Sequence, residues 1–471
     1  MKTKVETKEF SLKAVLPSIL TVALAMLLTM MDTTIMNVAI PSLQHVFSTK
    51  LSTVQWSVTG YTLALAAITP IAGWLSDRFS AKRVIFLAIV WFTIFSVLCS
   101  MSQSIEILIV FRCLQGMAGG LVGPIGMAES WKLVPADKRG SLMALLGLPM
   151  VIAPIAGPIL AGWLLSYASW HAIFYINLPI GIIAAICVLK YLPKRELIKN
   201  ERLDIFGALL SPTAFVTLIY GVHRLGDHAL TDWTTTSILL IGITLLILFI
   251  YVELKQDHPL MALSAFKVDR FRRGILVSWL NQIVLFGATL LIPLFLQTAK
   301  GFSPLHAGEM IAPQALASFV GMFIGGQLFD RWGVRAAALP GIGLMFIGII
   351  RLTQLTLQTD TTTLLITIAI LGLGQGMTMM QISTYNLGSA PKAVVSRLTP
   401  LINSAMQIIN SLAVVWLTNV LSKNLVSEAK TATAATFENH VVLAYGQTFT
   451  MLLGILALSF IVTITLNKVK K

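Results

Sequence analysis

The chain has 471 residues, of which 56% are hydrophobic and 11% charged, with a formal net charge of +14. Soluble domains carry about 25% charged residues, so a water-facing surface for a protein of this size is excluded and lipid must solvate most of it. The basic excess has no aromatic-interleaved patch and no nucleic-acid motif around it. It is read as loop charge, and no nucleic-acid partner is expected.

The segment before the first apolar run is mostly polar, with no signal-peptide cleavage pattern after that run. Apolar runs of spanning length follow at 14–40, 54–76, 84–101, 105–127, 141–165, 169–190, 205–223, 234–252, 274–298, 304–329, 336–355, 362–385, 395–421 and 445–467. An even number of spans puts both termini on one side. With that side inside, cytoplasmic segments hold 27 Lys and Arg and outer loops hold 6, Arg112 being within a span. The positive-inside rule therefore places both termini in the cytoplasm.

Two cytoplasmic segments, Lys190–Asp204 and Glu253–Arg273, are longer and more charged than the rest and bracket the seventh and eighth spans. This predicts an all-α integral membrane protein of two six-helix bundles with an inserted helix pair. The divisions are 1–190, 191–255 (linker and inserted pair) and 256–471. An internal repeat supports the halves. Gly73, Leu75, Asp77, Arg78 and Lys82 at the end of the second span recur as Gly326, Leu328, Asp330, Arg331 and Arg335 at the end of the tenth. Gln115 and Gly116 recur as Gln375 and Gly376. Two related six-helix halves with a site between them make a transporter architecture.

Charges inside spans are costly and mark function. Asp32 lies eight residues before Ile40, about 12 Å from the outer edge at the helical rise. Arg112, seven residues into the fourth span, lies at about 10 Å. The two helices run oppositely, so both charges fall in the outer half and can pair, either to couple protons and substrate or as a purely structural buried pair. Glu309, about five residues into the tenth span, is a second candidate acid, facing either interfacial water or the cavity. Candidate cavity-lining residues are Asn37, Gln115, Gln375 and Tyr385, with Asn403, Gln407 and Asn410 on one face of the thirteenth span.

Together these patterns resemble the major facilitator superfamily, in particular its fourteen-helix drug/proton antiporter branch of QacA/EmrB type. The resemblance covers essentially the whole chain. It rests first on the loop signature Gly73, Leu75, Asp77, Arg78, Lys82 and Arg83, where Ser80 stands in place of the usual Gly and Gly333 retains it in the second copy. It rests also on Arg112 with Gln115 and Gly116, and on the stretch from Met31 to Pro41 around Asp32. Further, it rests on Pro154, Gly157, Pro158 and Gly162, which match the antiporter signature with Ala153 and Ala161 replacing glycines. The last pattern is Trp170, His171, Phe174, Tyr175, Asn177, Pro179 and Gly181, used for recognition without a role.

The resemblance implies the major facilitator fold and a cytoplasmic gate built from Gly73, Asp77, Arg78, Lys82, Arg83, Asp330 and Arg331. The first copy, richer in bases, is expected to matter more. It implies proton-coupled export of small hydrophobic or cationic compounds across a bacterial plasma membrane by a monomer. The alternative is a narrow-specificity carrier for a metabolite, a sugar or a single antibiotic. No Walker A, His-Glu-x-x-His or Gly-x-Ser-x-Gly pattern occurs, and no Cys-x-x-Cys pair joins Cys99, Cys113 and Cys187. Neither an enzyme nor a cofactor or metal is expected.

Overall fold

A computed structural model describes residues 12–135, 138–194, 204–227, 231–256, 259–302, 304–390, 394–431 and 437–466. Most of the linker expected at 190–204 lies outside these, as do the side chains of Asn37, Pro154 and Pro158. All fourteen expected segments are helical. In chain order they are α1 (Leu12–Val46), α2 (51–79), α3 (Ala81–Ser100), α4 (Ile105–Leu133), α5 (139–167), α6 (172–191) and α7 (Ile205–Asp227). Then follow α8 (Trp233–Lys255), α9 (Asp269–Thr298), α10 (Pro304–Trp332), α11 (Val334–Thr353), α12 (Thr361–Leu387), α13 (Val395–Thr431) and α14 (Phe437–Ile464). A short 3-10 turn, Leu263–Lys267, precedes α9.

Helix is what lipid demands of an apolar chain, because each peptide group must be satisfied within its own segment. Among the described residues, 13 helices are long and apolar enough to cross a membrane. The remaining place is filled by α5, whose Ala153 carbonyl accepts a 3.0 Å bond from Thr34 of α1. Two helices tighten locally to 3-10 turns, α2 at Thr69–Ile71 where Pro70 enters, and α5 at Leu145–Gly147 just before Pro149. Proline removes an intrahelical donor, and the local tightening accommodates its loss.

The α2–α3 and α10–α11 corners share a positive φ. Ser80 has φ 73° and Gly333 has φ 90°, so the backbone at both copies sits where glycine is at ease and a side chain is not. Ser80 carries strain that its counterpart lacks. Ser80→Gly is therefore expected to stabilise the protein by about 1 kcal/mol, read as a higher melting temperature in detergent, whereas Gly333→Ala lowers it.

One apolar core fills the outer part of α1 and α4–α6, with Ile35, Leu43, Trp170 and Phe174. Another fills α9–α14, with Leu291, Phe295, Ile342, Leu371 and Phe449. The largest crosses between the halves, joining Trp131 and Val134 of the first to Phe271, Leu387 and Leu398 of the second. The inserted pair lies on the outside of this assembly. Ile219 of α7 packs with Leu63 and Ala66 of α2 and with Ile408 of α13, and Tyr220 lies 5.8 Å from Trp56. α7 thus covers the seam between the halves. α8 lies against α7 at Gly242, where any Cβ would come within 2.9 Å of Leu218 Cα. Leu240, Ile243, Ile247 and Tyr251 of α8 stay exposed, as lipid-facing positions.

Candidate functional site

Asp32 and Arg112 meet in the core of the first half. Arg112 Nη1 donates to Asp32 Oδ2 at 2.5 Å, and both residues are buried. Arg112 and Gln115 are three residues apart and therefore share a helix face. Gln115 Oε1 accepts from Arg112 Nη1 at 2.7 Å, and its Nε2 donates to Asp32 Oδ1 at 3.1 Å. Asn177 of α6 donates to the same Oδ1 at 2.8 Å and to Ser96 Oγ of α3 at 2.9 Å. Arg112 Nε reaches the Ser57 carbonyl of α2, and its guanidinium lies 4.3 Å from the centre of the Tyr61 ring. Five further groups from α2, α3, α4 and α6 thus surround one ion pair. A charge pair removed from water is tolerable only with hydrogen bonds of this kind around it. Arg112 Nη2 is buried with no hydrogen-bond partner among the described residues.

Small residues bring the helices close enough for this. A Cβ at Gly116 would overlap the Tyr61 carbonyl, and one at Gly120 would lie 2.5 Å from the Leu65 carbonyl, so α4 lies backbone to backbone against α2. Gly157 of α5 leaves room for Thr34 of α1, two residues beyond Asp32. Gly162 is half-buried, and a Cβ there would meet open space. This stretch of α5 therefore touches the helix that carries Asp32 at Gly157.

The end that carries the repeated loops is closed by two contacts related by the repeat. Asp77 Oδ2 of α2 accepts from Ser396 Oγ in the first turn of α13 at 2.6 Å, with Lys132 Nζ 3.7 Å from Oδ1. Asp330 of α10 accepts from the Gly140 and Ser141 amides at 2.7 and 3.0 Å and from Ser141 Oγ at 2.6 Å, at the start of α5. A carboxylate there meets unsatisfied amides and the positive end of the helix dipole. Gly73 and Gly326 permit the approach. A Cβ at Gly73 would lie 2.5 Å from the Ser396 carbonyl, and one at Gly326 would lie 2.8 Å from the Gly140 carbonyl.

Other expected gate residues lie elsewhere. Lys82 Nζ donates to the Leu189 and Leu192 carbonyls at 2.6 and 2.7 Å, capping α6 within its own half. Arg83 is exposed and, with Lys82 and Lys194, lines a groove between α3 and α6. Arg78 and Arg331 are also exposed. The reason is geometric, since successive residues of a helix point about 100° apart and cannot all face the opposite half.

Glu309 is exposed, its carboxylate 3.2 Å from His306 Nδ1 on its own helix. None of its hydrogen bonds reaches Asp32 or Arg112 among the described residues. Gln375, the repeat counterpart of Gln115, is buried and accepts from Gln314 Nε2 at 2.9 Å. The second half thus carries an uncharged amide pair there. Tyr385 does not line a cavity. It is fully buried with Val277, Ala338 and Ile382, because α9 approaches closely at Gly274. Asn403, Gln407 and Asn410 are half-buried on α13.

Sequence reasoning missed Asn177, Ser96, Ser57 and Tyr61 around the ion pair, and Ser396, Lys132, Gly140 and Ser141 at the closed end. Asn177 was within reach, since an amide inside an apolar span needs a partner. The serines carried no such signal, because serine satisfies itself on its own helix.

The chain is similar to known proteins over most of its length. The sequence pattern of the Major Facilitator Superfamily matches residues 22–414. An uncharacterized MFS-type transporter, YhcA of Bacillus subtilis, is 29% identical over 416 residues, covering 88% of this chain and 78% of the relative. A multidrug resistance protein B homolog of Mycobacterium tuberculosis is 30% identical, covering 85% and 75%. The putative multidrug resistance protein MdtD of Escherichia coli is 32% identical, covering 70% of each. Among solved structures, the human organic anion transporter MFSD10 superposes with a TM-score of 0.68 at 14% identity, covering 95% of this chain and 99% of the other. The proton:xylose symporter XylE gives 0.67 at 15% identity, covering 98% of each. The fold, the repeated loop and the match across most of the chain agree, and the protein belongs to the major facilitator superfamily of membrane transporters.

Proposed function

We propose that this transporter is a proton-coupled exporter of small hydrophobic or cationic compounds, working by alternating access across a bacterial plasma membrane. The observation that carries this is the ion pair of Asp32 and Arg112, buried in the first half and held by groups from α2, α3, α4 and α6. A proton arriving on Asp32 removes the charge that orders Arg112, Gln115 and Asn177. Proton binding and rearrangement of these helices are then one event. A cationic compound competing for the carboxylate would expel the proton, which is antiport. Residues 1–190 and 256–471 are the two moving halves, and 191–255 holds the inserted pair that covers their seam. Relatives named for multidrug resistance, at 30% and 32% identity, support this substrate class.

The test is proton release from purified protein in weakly buffered detergent on adding lipophilic cations. Release by the wild type and none by Asp32→Asn is the expected result. If both release equally, Asp32 is not the coupling acid. Release on one compound alone out of a broad panel would indicate the narrow-specificity carrier.

A further inference from the structure

The inserted pair contains a second pair of acids, away from Asp32. Asp204 precedes α7 and Glu253 ends α8, and both are buried, 6% and 2% exposed. Asp204 Oδ1 accepts from the Gly207 amide at 3.0 Å, capping α7, and from Gln256 Nε2 at 3.1 Å. Glu253 Oε1 accepts from the Met261 amide at 2.6 Å. One oxygen of each carboxyl remains, Asp204 Oδ2 and Glu253 Oε2, and both are buried without a hydrogen-bond partner among the described residues. Both point at the same place. A Cβ on Gly207 would overlap Asp204 Oδ2 and come within 2.9 Å of Glu253 Oε2.

Two ionised carboxylates cannot be held this close in a buried place without a cation. Among the described residues, none of the salt bridges reaches Asp204 or Glu253 from the surrounding elements. Lys255 of α8 lies over the Tyr251 ring, Lys267 of the 3-10 turn is exposed, and Arg397 of α13 meets this region through its carbonyl, which accepts from the Ala262 amide at 3.2 Å. A single proton satisfies both orphan oxygens at once. With that proton on Glu253, Oε2–H would donate to Asp204 Oδ2, Glu253 Oε1 would still accept from Met261, and Asp204 would keep the charge where a helix N-terminus favours it.

We propose that Asp204 and Glu253 form a second proton-binding site, with one proton held between them at the cytoplasmic base of the inserted helix pair. The site has a mechanical consequence. Glu253 anchors Met261, and the next residue, Ala262, is bonded to α13 one residue after Ser396, the partner of Asp77. The proton therefore sits at the root of a strap that runs to the closed end of the transporter. This is independent of the role of Asp32.

The proposal is tested on the full-length protein by infrared difference spectroscopy in the protonated-carboxyl region at neutral pH. A band present in the wild type should be lost in Glu253→Gln, whose amide can donate to Asp204 as the protonated acid would. Asp204→Asn should remove it too while keeping a good capping residue, which guards against one variant misfolding. Thermal stability of the wild type should fall as pH is raised, and that fall should be absent in Glu253→Gln. A spectrum that both folded variants leave unchanged would overturn the proposal. So would a wild type lacking the band whose melting temperature rises with magnesium or calcium chloride and ceases to do so in Glu253→Gln, because the pair would then hold a metal cation. Neither measurement involves transport, so the outcome is separable from the fate of the exporter assignment.

Discussion

Asp32→Asn is expected to abolish uphill export and to lower the stability of the first half, and the two effects should separate in a double variant. The substitution leaves Arg112 buried with no counter-charge and turns an amide NH2, a donor, toward Arg112 Nη1 where Oδ2 accepted, while the amide oxygen still accepts from Gln115 and Asn177. Breaking a buried pair by removing one partner costs about 3–5 kcal/mol. Removing both charges together should return most of that, so Asp32→Asn with Arg112→Gln should melt near the wild-type temperature. Export should stay absent, because no group remains to exchange a proton. Thermal melts of purified protein and uptake by inverted vesicles under an imposed proton gradient give the two readouts. Recovery of export along with stability would make the pair purely structural.

Asp330→Ala should open the cytoplasmic end and slow turnover more than it weakens substrate binding. Asp330 accepts three hydrogen bonds from the first turn of α5, and bonds to a charged group contribute about 1.5–3 kcal/mol each. Losing even one such net contribution shifts a two-state equilibrium by roughly tenfold or more. Asp77→Asn should do less, since Asp77 makes one short bond to Ser396 and a 3.7 Å contact with Lys132. This order reverses the one expected from counting bases, because Lys82 and Arg83 turn away from the opposite half. Spin-label distances between the cytoplasmic ends of α5 and α10 measure the opening. An unchanged distance in Asp330→Ala with normal turnover would reduce these contacts to packing.

The sequence alone determined the helices, the repeat and the two intramembrane charges. Each follows from a large energy that acts locally. Lipid forbids unpaired peptide groups, and charge inside a span is expensive enough to be conspicuous wherever it occurs. The pairing of Asp32 with Arg112 was legible as a matter of depth along two opposed helices. Rotation about the helix axis was not. That angle is decided by packing against neighbours, and it turned Lys82 onto α6, buried Tyr385 against α9 and left Glu309 with His306. The same holds for partners brought from distant segments. Asn177 looks like one polar residue in an apolar run until α6 lies beside α1. Asp204 and Glu253 look like ordinary loop charges until α7 and α8 pack at Gly207 and leave two carboxyl oxygens facing each other away from water. Only the tertiary structure decides which polar atoms lose water together, because that depends on how closely small residues let the helices approach.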